Sequence, residues 1–372
     1  MNKKLLTAIV GATLATAGSA ANAIDLKISG ALNRAVMLAD DGISNETYNS
    51  DNNTYPSRIR FLASDDLVPG IKAGVNWENG YNSNSTGSVT QTSRSVTPTL
   101  SERWQEVWFS GAFGKLGFGQ GDAANKDTVN VDLSNTALAA SGAPADVGGG
   151  LKFRTSAGGF SSSISQVLNN YDSSRYDRIR YDSPALGPVV ISGSSGYTGD
   201  VDSNEIAVRL NMDLGGGGKL AGAIGRINAA TAGAPSGNSG NGAQSATAEA
   251  LGHRKTTQGS VSWLANFGLN VTLAYSNAKD AESGAAGALD GKFSKAKVGY
   301  IFGDHAVSVH YAKGKNEIAT GDEAKETGIE YNWKPKPWAD LYAAYKIDKF
   351  DPASGLALED IKILMVGTRI AF

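Results

Sequence analysis

Ile361-Lys362-Ile363-Leu364-Met365-Val366-Gly367-Thr368-Arg369-Ile370-Ala371-Phe372 is the stretch on which the fold turns. Leu364, Val366, Thr368, Ile370 and Phe372 occupy alternate positions and so share one face of an extended chain. A period of two belongs to a strand whose two faces meet different surroundings. The same period recurs upstream. Leu269, Val271, Leu273 and Tyr275 alternate with Asn270, Thr272 and Ala274. Ile329, Tyr331 and Trp333 alternate with Gly328, Glu330 and Asn332, and Leu341, Ala343, Tyr345 and Ile347 with Asp340, Tyr342, Ala344, Lys346 and Asp348. The polar face carries charge in mid-strand (Arg209, Glu330, Lys346), and the apolar face ends repeatedly in an aromatic (Tyr275, Tyr300, Trp333, Tyr345). A sheet with lipid on one face and water on the other produces both features, with tyrosine and tryptophan at the interfaces.

Read along the chain, the pattern predicts strands near 25–38, 57–64, 70–79, 102–112, 115–121, 174–184, 188–198, 203–213, 218–228, 256–265, 268–278, 292–302, 305–314, 324–334, 338–349 and 360–372. Tight links such as Phe113-Gly114, Asn266-Phe267 and Gly303-Asp304 alternate with long polar ones, Asp40–Pro56, Gly80–Ser101, Ala229–Lys255 and Lys279–Gly291. Short turns on one side and long loops on the other predict an all-β, transmembrane, antiparallel up-and-down β-barrel, with turns periplasmic and loops external. Sixteen strands are expected. An alternative of eighteen arises if Leu151–Thr155 and Phe160–Val167 form a further hairpin in the wall.

The first residues, MNKKLLTAIVGATLATAGSAANA, read as a secretory signal: Lys3 and Lys4, a short apolar core from Leu5 to Ala17, and the small-x-small site Ala21-Asn22-Ala23. The expected division is 1–23 signal peptide and 24–372 barrel domain. Without Lys3 and Lys4, the 34 Lys+Arg of the whole sequence become 32 against 36 Asp+Glu, which argues against nucleic acid as a partner. Cysteine is absent, glycine is abundant at 46 and proline sparse at 10. Beyond the signal no apolar run approaches the ~20 residues of a membrane-spanning helix.

Several segments resemble the Gram-negative general porins. Arg58-Ile59-Arg60-Phe61 with Asp66-Leu67-Val68-Pro69-Gly70-Ile71-Lys72-Ala73-Gly74 is similar to that family's second hairpin. Phe109-Ser110-Gly111-Ala112-Phe113-Gly114-Lys115-Leu116-Gly117-Phe118-Gly119-Gln120-Gly121 resembles its glycine-rich hairpin before the third loop. Arg178-Ile179-Arg180-Tyr181-Asp182-Ser183-Pro184 resembles the strand that follows that loop. Gln120-Gly121 departs from the Gly-Arg of many members, and the terminal Phe372 resembles the sorting signal of outer-membrane proteins. The resemblance implies a homotrimer in the outer membrane of a Gram-negative bacterium, in contact with its lipid. It implies a water-filled channel for ions and small hydrophilic solutes, with the third loop (Asp122 to Ser173 here) folded inward. Acids on that loop would face arginines across the constriction.

Alternation places Arg58 and Arg60, and Arg178 and Arg180, on the pore face. With Asp122, Asp127 and Asp132 of the third loop they form the expected constriction. Asp146 lies further along the loop, and Arg34 and Arg103 are candidates whose faces the imperfect local alternation leaves open. A pore selects by width and by charge at its narrowest point, and arginine keeps its charge at any relevant pH. Other chemistries fare worse. His305 and His310 lie five apart in one strand and face opposite ways; no metal set, cofactor motif or nucleophile elbow is present, and no enzyme is expected. A substrate-selective channel for sugars, phosphate or carboxylates is the alternative within transport. A ladder of interior aromatics would mark the sugar path, and Tyr342 is the main one placed. A plugged structural barrel and a soluble sandwich are the remaining alternatives.

Overall fold

A computed structural model describes residues 24–140, 142–198, 201–230, 253–280 and 290–372. The expected signal at 1–23 lies outside them, as do the centres of two expected external loops, 231–252 and 281–289.

The strands are β1 (Asp25–Asp40), β2 (Asn45–Asp51), β3 (Arg58–Val68), β4 (Ile71–Asn82), β5 (Thr99–Gly111), β6 (Gly114–Asp122), β7 (Lys152–Arg154), β8 (Phe160–Ser163), β9 (Arg175–Asp182), β10 (Val189–Thr198), β11 (Val201–Asp213), β12 (Lys219–Ala230), β13 (His253–Leu264), β14 (Leu269–Asp280), β15 (Asp290–Phe302), β16 (His305–Lys315), β17 (Glu323–Lys336), β18 (Ala339–Asp351) and β19 (Ile361–Ala371). Neighbours in sequence pair antiparallel, and β1 closes on β19 with Ala31 opposite Ala371 and Asp40 opposite Lys362. β2 and β3 together make one interrupted strand beside β1: Arg34 faces Asp51, Ala31 faces Arg58, and 52–57 turn inward between them. The closed wall therefore has sixteen strands, and closure leaves no unpaired edge in lipid. Among the described residues no helix is long and apolar enough to cross a membrane.

Two expectations are corrected. Asp40–Pro56 is not all loop, because β2 continues the second wall strand above its inward break. The hairpin that would have given eighteen strands exists as β7 and β8, but these pair only with each other and enter the lumen with the short helix Ile164–Val167.

Burial follows the period of two. In β15 exposed and buried residues alternate, with Val298 and Tyr300 outward and Lys295 and Lys297 inward. The outward residues form the apolar face. Tight periplasmic turns require glycine where the chains crowd: a Cβ on Gly268 (φ +101) would stand 2.1 Å from the Ile301 carbonyl oxygen.

The apolar core sits inside the barrel. Met37, Tyr342, Ile363 and Met365 of the wall pack with Val147, Leu151 and Phe153 of the third loop, and the Phe153 ring lies 5.7 Å from that of Phe350. Each such side chain taken from water contributes roughly 1.5–3 kcal/mol. Polar bonds continue the seam. Val131 and Leu133 donate backbone N–H groups to Ser260 and Ser262, and Lys346 donates to the Pro144 carbonyl. The third loop thus runs along the inner wall from β10 round through β19 to β1 and β2, leaving β3–β6 uncovered by it.

Candidate pore constriction

β3 turns Arg58 and Arg60 inward beside Glu78 of β4, which stands opposite Arg60 in register. A bulge at Glu78/Asn79 shifts the pairing with β5 and brings Arg103 to the same carboxylate. Arg103 Nε lies 2.5 Å from Glu78 Oε1, Arg60 Nε 2.5 Å from Oε2, and Arg58 Nη1 3.5 Å from Oε1. The Glu78 side chain has no solvent exposure. The guanidinium donors take the place of the water that burial removes from this carboxylate. One step toward the periplasm, Glu106 holds Arg178 at 2.8 Å and Lys115 at 3.1 Å. These five cations share two carboxylates, so this strip of wall carries excess positive charge.

The loop root lies beside it. Arg175 pairs with Asp122 at 2.6 Å and stands close enough to Arg58, Arg103, Lys126 and Asp127 to act on each electrostatically. Lys126 bridges Asp127 and Asp172, at 2.5 Å from each. Burial opposes ionisation here. The Lys126 ammonium outweighs it for Asp127, whose carboxyl is held far below the usual range. For Asp172 burial prevails despite Lys126, with the Asp127 charge adding to it, and the carboxyl is pushed up to about 7. The two acids in turn hold the proton on Lys126.

The expected residues separate into two groups. Arg58, Arg60, Asp122 and Asp127 are brought to the lumen near one another, and the Asp127 side chain is 57% exposed. Arg178, Arg180 and Asp132 do other work. Arg178 has no exposure: it is consumed by Glu106 and by the carbonyls of Gly119 and Asp122. Arg180 pairs with Asp182 at 2.8 Å and donates to the Asp122 and Ala123 carbonyls, bracing the loop root. Asp132 is buried against Lys297 of β15 at 2.8 Å, fastening the loop to the wall. Asp146 accepts from Asn53 at 2.7 Å, likewise away from the narrowing.

Arg103 and Arg175 are the residues that sequence reasoning left open or missed. A regular alternation hides Arg103 because the bulge resets the face, and Arg175 lies at the strand's first residue, where the chain is still leaving the loop. Arg34 is resolved against the pore: it points outward between Leu32 and Val36. Trp104 and Trp108 face inward, which the sequence reading did not place. His310 faces inward as expected but has no exposure, lying 2.8 Å from Glu326 and in contact with Glu330.

A family model described as Gram-negative porin matches residues 6–353. No curated protein sequence matches the chain. Among solved structures, the anion-selective porin from Comamonas acidovorans superposes with a TM-score of 0.65 at 15% identity, covering 94% of this chain and 100% of that one. OmpT of Vibrio cholerae in its trimer form gives 0.59 at 13% identity, with coverage of 94% and 100%. A porin of Rh. blastica gives 0.53 at 12%, again with 94% and 100%. The chain belongs to the Gram-negative porin family, and is thereby an outer-membrane β-barrel channel for passive diffusion.

Proposed function

We propose that this Gram-negative porin favours anions, and that its constriction is lined by Arg58, Arg60, Arg103 and Arg175 with Asp122 and Asp127 of the loop root beside them. One observation carries the sign: three guanidiniums converge on the single carboxylate of Glu78. Of the cations on this strip Arg60 and Lys115 are the more open to the lumen, and the acids of the loop root lie beside them, Asp122 paired with Arg175. Such an excess of positive charge lowers the energy of an anion in transit. The Comamonas acidovorans porin is itself called anion-selective, which agrees with this sign.

The test is the reversal potential of reconstituted channels in a potassium chloride gradient. The parent should show the anion-preferring sign, and Arg58→Gln with Arg60→Gln and Arg103→Gln should move it toward cations. A cation-preferring parent overturns the reading. A non-enzymatic role fits the same site, whose charged groups are paired with one another rather than arranged around a nucleophile.

We further read residues 1–23 as the export signal and the working unit as a homotrimer in outer-membrane lipid. Two features of the outer surface support the trimer. Arg34, on the lipid side of β1, carries charge where the surrounding face is Leu32, Val36 and Leu38. Exposed tyrosine and tryptophan mark β14 to β18 (Tyr275, Tyr300, Tyr311, Tyr331, Trp333, Tyr345), whereas the outward residues of β19, β1 and β3 are chiefly aliphatic. Interfacial aromatics mark surface that meets lipid headgroups, so the β19–β1–β3 sector suits contact with a second copy.

A further inference from the structure

β5 presents Trp104, Glu106, Trp108 and Ser110 to the lumen. Trp104 stands opposite Glu78, at the level of the arginines, and Trp108 opposite Gly74, nearer the periplasm. Four residues of strand separate the indoles by about 13 Å. Each lies over a glycine. A Cβ on Gly74 would fall 2.4 Å from the Trp108 ring, and one on Gly121 2.8 Å from that of Trp104. Both rings remain partly exposed within the barrel. Each also has a cation beside it: Lys115 Nζ lies 5.4 Å from the Trp108 centroid and the Arg178 guanidinium 5.7 Å from that of Trp104. On the external side of the narrowing, Tyr55 takes the Arg58 guanidinium at 4.0 Å and that of Arg369 at 4.8 Å.

Rings and cations therefore succeed one another down the open side of the pore; because Arg178 is closed off by Glu106, the donor open to a solute at the Trp104 level is Arg60, 35% exposed and, like Trp104, opposite Glu78 in register. Passing water and inorganic ions requires none of these rings, and the strand ladder holds without them. We propose that this track binds aromatic carboxylates weakly as they pass, the solute ring stacking on an indole while its acid group meets a neighbouring cation. The proposal rests on the open-channel reading and names a solute class for it. Sugars fit less well. Their hydroxyls need acceptors beside the ring face, yet Glu78 and Glu106 are closed off by their own cations. A planar ring with one carboxylate needs only the faces and the donors that the wall supplies.

The full chain in planar bilayers, with benzoate, acetate or glucuronate on one side, tests it. Chloride current reports a folded, open channel in every variant. Benzoate should interrupt that current in a saturable way and acetate should not. Trp104→Ala or Trp108→Ala should weaken the benzoate effect about fivefold, as expected for one lost ring contact, and Trp108→Phe should retain it. A parent that passes chloride but treats benzoate like acetate overturns the track alone, as does an undiminished benzoate effect in both alanine variants. Equal effects of glucuronate and benzoate overturn the aromatic assignment. A parent that passes no chloride overturns the channel reading and the track with it.

Discussion

Arg34 Nη1 on β1 stands 2.9 Å from Asp51 Oδ2 on β2, on the outside of the barrel. The arginine is 41% exposed and the carboxylate 4%, and Ser57 and the Ser83 backbone also donate to Asp51. An arginine on the lipid face of a barrel costs about 2–4 kcal/mol at the bilayer midplane. The guanidinium already meets Asp51, the Asn49 side chain and the Ser83 carbonyl, and a second copy over this patch lowers the remaining cost by keeping lipid from the pair. Arg34→Leu should then lower the temperature at which the oligomer dissociates, read as mobility on gels run after graded heating. An oligomer that withstands more heat with leucine would show that lipid covers the site.

Asp172 supplies a pH dependence. Burial, with Asp127 beside it, raises its carboxyl to about 7, so it gains a proton as pH falls through that value. Asp127, held far below the ordinary range by Lys126, stays ionised over the same interval. Acidification from pH 8 to pH 6 therefore removes one negative charge near the loop root and should strengthen anion preference. In water a unit charge 4 Å from a passing ion is worth about 1 kcal/mol, roughly a fivefold change in relative permeability, less with distance. Reversal potentials should show this step in the parent and not in Asp172→Asn. Asp127→Asn should raise anion preference at every pH in the range. A preference that falls on acidification contradicts the assignment.

Asp132 and Lys297 are buried together, their side chains 9% and 2% exposed. Removing one partner of such a pair costs about 3–5 kcal/mol, because the other charge is left without water. Glu330 lies 4.0 Å from the same ammonium and offsets part of that. Asp132→Ala should lower the urea midpoint of the refolded protein and add noise to the open-channel current as the loop loosens. Lys297→Met in addition should recover most of the stability. A double-mutant cycle measures the coupling, and strictly additive effects would show that the pair does not hold the loop.

Alternation carried the wall, since sixteen strands and their faces follow from a period of two wherever lipid and water divide the sheet. It carried less of the site. Which face Arg178 takes is a local property of β9, but its concealment depends on Glu106, a strand away in space and far in sequence. The bulge that admits Arg103 has no residue signature of its own. The inward turn at 52–57 likewise depends on a distant partner, with Asn52 and Thr54 both donating to the Leu138 carbonyl. Trp104 and Trp108 were legible in principle, because they alternate with Gln105, Val107 and Phe109. Each face mixes apolar and polar residues, Trp104 and Trp108 with Glu106 and Ser110 on one and Val107 and Phe109 with Gln105 on the other, so neither marks the lumen.

Asn125 occupies the space that Gly225 leaves open. A Cβ on that glycine would stand 1.7 Å from Asn125 Oδ1 and 2.8 Å from the Ile206 carbonyl oxygen, a conflict that the asparagine side chain or the loop root must shift to relieve. The asparagine earns its place through three bonds: Nδ2 donates to the Ile206 and Arg226 carbonyls at 2.9 and 2.8 Å, and its backbone N–H to Glu205 at 2.8 Å. Gly225→Ala should displace these contacts at a cost of about 1–3 kcal/mol, the usual range for overpacking a well-filled site. Because Lys126 and Asp127 follow directly in the chain, the displacement should also change single-channel conductance. Asn125→Ala removes the closest of these contacts, leaving that of the Ile206 carbonyl, and loses side-chain hydrogen bonds worth about 1 kcal/mol each. The double variant should therefore be more stable than Gly225→Ala alone and return conductance toward the parent value. If Gly225→Ala leaves both stability and conductance unchanged, the loop root is not held by this fit.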